Sequence, residues 1–303
     1  MNTTDTAPAA PTTTQFLSGG VHCVADFYRP AGSGPFPVIV MGHGVGGTRK
    51  MRLPAFAERF AAAGYACLVF DYRHFGDSEC EPRQLLDIPH QLEDWKAAIA
   101  HARTLPGVDP ERVAIWGSSF GGGHVLSTAA DVPNLVAVIS QCPFTDGAAS
   151  SKTSEPKVSL KLAVLALRDI IGSKFGAKPL LVPLAGRPGE TAFMTAPDVW
   201  DGQQRLYPPG HNFSNSVAAR FAFGISRYFP GRKTHLIQAP VLFCICDPDT
   251  VAPAKQALEY AARTPRHEVK RYPYGHFEIY VDDAFEHVVR DQLDFLRRTV
   301  PVN

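Results

Sequence analysis

Apolar runs of strand length alternate with helical periods along most of this chain, and that rhythm breaks once. Val21 to Tyr28 and Val38 to Met41 read as strands on either side of the turn-rich "RPAGSGPFP". "LPAFAERFAAAGY" carries apolar residues at helical spacing up to Gly64. "ACLVFDY" is a continuous apolar run of the kind a parallel sheet buries on both faces. A second amphipathic helix spans Ile88 to Leu105, followed by "RVAIW", a glycine-rich turn, a helix through Ala130 and the strand "LVAVIS". Strands alternating with helices imply right-handed crossovers, hence an α/β fold with a mostly parallel sheet flanked by helices.

The break runs from 145 to 235. It holds one amphipathic helix ("KVSLKLAVLALRDIIG"), a Pro/Gly-rich stretch from Lys178 to Pro209, and a second helix ("SNSVAARFAFGISRYF"). The alternation resumes with "APVLFCICD", a helix from Pro253 to Arg263, the strand "EVKRY" and a final helix from Asp282 to Arg298. The expected organisation is a core of residues 15–144 and 236–303, with 145–235 inserted as a helical cap or lid. Residues 1–14 ("MNTTDTAPAAPTTT") are polar and low in complexity, and are expected to be a disordered lead rather than a signal peptide.

The glycine-rich turn is "IWGSSFGGG", in which Gly117-Ser118-Ser119-Phe120-Gly121 fits Gly-x-Ser-x-Gly between a strand and a helix. Such a turn strains the backbone at the central serine and leaves no room for side chains two residues either side. A phosphate-binding loop would need a Gly-Lys-Ser/Thr ending, which is absent. Ser118 stands outside the pattern and is assigned to turn packing.

A serine hydroxyl becomes a useful nucleophile only when a histidine takes its proton and a carboxylate orients that histidine. Two later loops follow predicted strands and would open at the same sheet edge: "CDPDTVAP" and "YGHFEIY". His276 is the expected base. Asp249 is the expected acid, ahead of Asp247, which suits a turn or cap, and of Asp146. The oxyanion needs backbone donors, expected from the N–H of Phe120 and of Val45 in "GHGVGG"; His43 would brace that loop.

The charges nearly cancel, 30 basic against 29 acidic for a net of +1, so no overall field gathers nucleic acid or an acidic membrane. No apolar run reaches membrane-spanning length. The six cysteines are scattered, mostly in apolar runs, with neither disulfide nor zinc spacing. These readings point to a cytoplasmic protein whose partner is a small molecule, with no metal, cofactor, nucleic acid or membrane. The oligomeric state stays open, a homodimer among the options.

Together the stretches "GHGVGG", "DYRHFGDS", "GSSFGG", "CDPDTVAP" and "YGHF" stand in the order of the α/β-hydrolase superfamily, which the chain closely resembles. Within it the chain is similar to the group near dienelactone hydrolases, the Xaa-Pro dipeptidyl-peptidase family and polyketide transferases or thiohydrolases; "PLAGRPGETAFMTAPD" in the insertion carries part of that similarity. The resemblance implies an α/β-hydrolase fold, a triad of Ser119, Asp249 and His276, and oxyanion donors at Phe120 and Val45. It implies a structural role for the loop bearing Asp71, Arg73, Asp77 and Ser78. Dienelactone hydrolases usually carry a cysteine nucleophile where this chain has Ser119. The expected function is a serine hydrolase acting on a carboxylic ester or thioester through an acyl-enzyme. The alternatives are an acyltransferase using the same intermediate and a catalytically silent binding protein. Leu162, Leu165, Phe221 and Ile225 recur at helical spacing in the insertion and are the candidate substrate pocket.

Overall fold

A computed structural model of the chain describes residues 10–302. Most of the expected lead, 1–9, lies outside the described residues. Its last three residues correct the expectation, because Thr12–Ser18 forms strand β1, antiparallel to β2 (Val21–Tyr28). Phe16 explains the pairing: it alone in the TTTQFLS run is a large buried side chain, packed edge-on against Phe70 at 5.9 Å. A run of threonines also suits a half-buried edge strand.

The elements then follow in the expected order: β3 (Phe36–Gly42), α1 (Leu53–Ala62), β4 (Ala66–Phe70), α2 (Ile88–Ala102), β5 (Val108–Ser118), α3 (Phe120–Asp131) and β6 (Ala137–Gln141). The interrupting segment contributes α4 (Gly147–Ser151), α5 (Pro156–Ser173), β7 (Leu181–Pro183), α6 (Val199–Gln204), β8 (Ser216–Ala218) and α7 (Phe221–Ile225). The chain closes with β9 (Val241–Cys246), α8 (Ala254–Ala261), β10 (His267–Tyr272) and α9 (Asp282–Thr299).

Eight strands form one sheet in the order β1-β2-β4-β3-β5-β6-β9-β10. The pairs from β4 through β10 are parallel, and β1 and β2 join antiparallel at one edge. Each face buries its own core. Phe56, Phe60, Phe285, Val288 and Leu296 of α1 and α9 pack on one side. Trp95, Ile99, Val125, Leu126 and Ala257 of α2, α3 and α8 pack on the other. The crossovers leave the C-terminal ends of β3, β5, β6, β9 and β10 at one edge, where loops from distant parts of the sequence meet.

The insertion departs from the expected helices. α5 matches its sequence signal, but "SNSVAARFAFGISRYF" splits into β8 and the short α7. Val217 and Ala218 are buried and pair with β7, so strand pairing overrides a local helical pattern. α5 is tied to that two-stranded sheet by Asp169, whose carboxylate accepts from the N–H groups of Leu180 and Arg220 and from the Arg220 guanidinium at 2.7 Å.

Candidate active site

Ser119 sits between β5 and α3 with φ 58° and ψ −118°, a positive φ that few side-chain-bearing residues adopt. The strain is held by neighbours that exclude any larger residue. A Cβ on Gly117 would overlap the Gly121 carbonyl, and one on Gly121 would come within 2.5 Å of the His43 carbonyl. Ser119 N–H donates to the Gln141 carbonyl, and its own carbonyl accepts from Phe144 and Gly123. The backbone is thus fixed while the side chain stays free of it.

That side chain meets His276, whose Nε2 lies 3.0 Å from Ser119 Oγ. His276 Nδ1 lies 2.7 Å from Asp249 Oδ2. A carboxylate opposite Nδ1 places the ring proton there, leaving Nε2 to accept from the serine hydroxyl. Asp249 Oδ1 in turn accepts from Val251 N–H at 2.8 Å and Ala252 N–H at 2.6 Å, which fixes the carboxylate. All three side chains are nearly withdrawn from solvent.

The structure separates these residues from their rivals. Ser118 is buried away from His276, bonded to Tyr280 Oη at 2.6 Å and to Gln141 Nε2 at 3.0 Å. Asp247 pairs with Arg271 at 2.8 Å on the surface. Asp146 caps α4 through Ala149 N–H and accepts from Tyr260. Burial raises the thiols of Cys23, Cys142 and Cys244 to about 12, so none of these is a thiolate near neutrality.

Val45 stands in the turn after β3, beside Ser119: a Cβ on the adjacent Gly44 would lie 3.5 Å from Ser119 Oγ. Phe120 opens α3, where helix N–H groups lack intrahelical acceptors. Among the described residues no backbone carbonyl accepts from either N–H. The turn is braced from behind. His43 donates from Nδ1 to the Gly44 carbonyl at 2.9 Å, and burial lowers its pKa and keeps it neutral. Arg49 binds Asp26 at 2.8 Å and Asp77 at 2.9 Å and pairs with Asp71. Arg73 binds Asp94 at 2.7 Å, and Ser78 Oγ bridges Val24 N–H and the Asp71 carbonyl. The loop bearing Asp71, Arg73, Asp77 and Ser78 therefore holds the frame and lines neither of the cavities at Ser119.

Two cavities flank Ser119. The larger, of about 240 Å³, lies under the insertion. Leu162, Phe221 and Ile225 line it, together with Val45 and Phe120. Leu165 corrects the expectation: it packs partly buried with Val158, Leu162 and Val182 inside the insertion and is not in the wall. It faces the β7–β8 sheet, an element the helix periodicity could not anticipate. The sequence reading missed Phe144, Phe193, Met194 and a run of hydroxyls at Ser150, Ser151, Thr153 and Ser154. Phe193 and Met194 both fall within "PLAGRPGETAFMTAPD", the stretch of the insertion that carries the family similarity. The smaller cavity, of about 50 Å³, lies on the His276 side, with His43, Gln203 and Leu206 in its wall. Met194 and Val45 border both.

The X-Pro dipeptidyl-peptidase (S15) family matches residues 19–160, a span that includes Ser119. The quorum-quenching protein AidA of Acinetobacter baumannii is 64% identical over 295 residues, covering 97% of each chain. The chain belongs to the α/β-hydrolase superfamily. The thiohydrolase AneE of Aspergillus aculeatus is 26% identical over 86% of this chain and 85% of its own length. The crystal structure of the α/β-hydrolase GrgF from a Penicillium species superposes on 97% of this chain and 100% of its own, with a TM-score of 0.80 at 22% identity. Relatives thus include both hydrolases and acyl-group transferases.

Proposed function

We propose that this chain is a serine hydrolase that cleaves a carboxylic ester or thioester through an acyl-enzyme on Ser119. The observation that carries the reading is the continuous chain Asp249–His276–Ser119, at 2.7 and 3.0 Å, ending in the wall of a largely apolar cavity.

The steps follow from the geometry. Ser119 Oγ attacks the carbonyl carbon as His276 Nε2 takes the hydroxyl proton, and Asp249 stabilises the imidazolium. The carbonyl oxygen becomes an oxyanion that accepts from Val45 and Phe120 N–H. Collapse breaks the bond to the leaving oxygen or sulfur, which takes the proton from His276, and the acyl group stays on Ser119. Water then attacks the acyl carbon, giving a proton to His276; the second collapse releases the acid and returns that proton to Ser119. The acyl chain fits the larger cavity, where each buried methylene contributes about 0.8 kcal/mol. The leaving group fits the smaller cavity beside His276.

The test is a panel of linear esters, thioesters and cyclic esters (lactones) of graded acyl length. Lactones belong in it because a relative of 64% identity bears a quorum-quenching name. Hydrolysis of at least one class by the wild type, absent in Ser119→Ala, is the expected result. Turnover equal in both proteins contradicts the reading. An added alcohol or amine that diverts the acyl group from water would favour the transferase alternative.

A further inference from the structure

Helix α5 is apolar on two opposite faces. Its inner face buries Val158, Leu162 and Ala166, and Ser159, Leu162 and Ala163 line the larger cavity. On the outer face Leu160, Val164, Leu167 and Ile171 recur at steps of four, three and four residues, and Phe175 follows the helix end. All five are exposed, Leu160 by 68% and Phe175 by 84%. A surface helix normally turns its charged residues outward, so an apolar outer stripe needs a covering partner.

The charge around the stripe narrows what that partner is. From Lys152 to Lys178 the chain carries six basic residues and only two acidic ones, a net of +4 within a molecule of net +1. Lys157, Lys161 and Arg168 run along one flank of the stripe at 100° per residue, and Lys174 and Lys178 follow at its end. Among the described residues none of these cations, Lys152 included, forms an ion pair. Asp169 is bound to Arg220 and does not offset them. A second copy docked through this face by a two-fold axis would set +4 against +4. The complement is instead apolar inside and anionic at its surface.

We propose that the outer face of α5 docks this protein onto an anionic lipid bilayer. Leu160, Val164, Leu167, Ile171 and Phe175 enter the interfacial layer, and the flanking cations meet acidic headgroups. The stripe spans about 22 Å in the bilayer plane at 1.5 Å per residue. The same helix walls the substrate cavity from its opposite face, so the seated protein holds that cavity directly behind the lipid contact. The expectation from net charge, that no membrane is involved, averages over a chain whose cations are concentrated on one element.

Flotation of the full chain with vesicles tests this. Vesicles of phosphatidylcholine with roughly 30% phosphatidylserine should bind the protein roughly tenfold more tightly, or more, than phosphatidylcholine alone, and added salt should weaken the binding. Lys157→Gln, Lys161→Gln and Arg168→Gln together should lower partitioning by about 100-fold, at roughly fivefold per cation. Leu160→Ser with Leu167→Ser and Phe175→Ser should abolish it with an unchanged melting temperature, since all three side chains are exposed. Absent binding, or equal binding to both vesicles, would overturn the proposal. So would a dimer in sedimentation velocity that the serine variant dissolves, which would make a second copy the occupant.

Discussion

At the residue scale, reactivity is set by which atoms face each other across short distances. Ser119→Ala should lower kcat on the order of 10⁴-fold or more while leaving the melting temperature within about a degree, as measured by steady-state kinetics and calorimetry. Asp249→Asn should lower kcat by about 10³- to 10⁴-fold by disturbing the tautomer and orientation of His276. Asp247→Asn should leave kcat within about twofold, because its partner Arg271 is an exposed surface residue. A reversal of those two effects would move the acid to Asp247. Alkylation by iodoacetamide at neutral pH should spare activity, since burial pushes the thiol of Cys142 up to about 12. Ser119, Asp249 and His276 were legible in the sequence because each sits at a loop whose residue types are constrained by backbone geometry. Met194 and Phe193 were not, because a pocket wall needs only apolar bulk and any of several spacings supplies it.

At the scale of elements, the central strands and their helices were legible because burial on both faces forces continuous apolar runs. β1 was hidden by its composition, three threonines read as a polar lead, and β8 by an apolar pattern that suits a helix equally well. β1 is decided by its pairing with the adjoining β2 and the burial of Phe16 against Phe70, and β8 by its pairing with β7 on the far side of α6. The junction of α5 with the β7–β8 sheet makes its own prediction. Burial pushes the Asp169 carboxyl up, but its bonds from Arg220 and Leu180 outweigh this and hold it below the usual carboxylate range. A lowered folded-state pKa adds stability that is fully present above the ordinary carboxylate pKa and is lost as pH falls through the lowered one. Hydrogen exchange should therefore show α5 opening in acid before the central sheet does. Asp169→Asn should loosen α5 at neutral pH by about 2 kcal/mol. Equal protection of α5 in wild type and variant would show that the ion pair does not hold the insertion. For the cavity, Phe221→Ala and Leu162→Ala should flatten the dependence of kcat/KM on acyl chain length, which a series of p-nitrophenyl esters reads directly.

At the scale of the molecule, the fold assembles one site from distant segments. His276 lies 157 positions after Ser119, and the sheet order brings β5, β9 and β10 to a common edge so that their loops converge. No helix among the described residues is long and apolar enough to cross a membrane. The insertion stands over that edge, with one face of α5 in the cavity wall and the other outside. All of this depends on Ser119 being the group that attacks. Reaction of the intact protein with a fluorophosphonate, followed by mass spectrometry of its peptides, measures that directly. A single adduct is predicted on Ser119, and it should be lost when His276 is replaced by alanine. An adduct on Ser118, or labelling that persists unchanged in Ser119→Ala, would contradict the account.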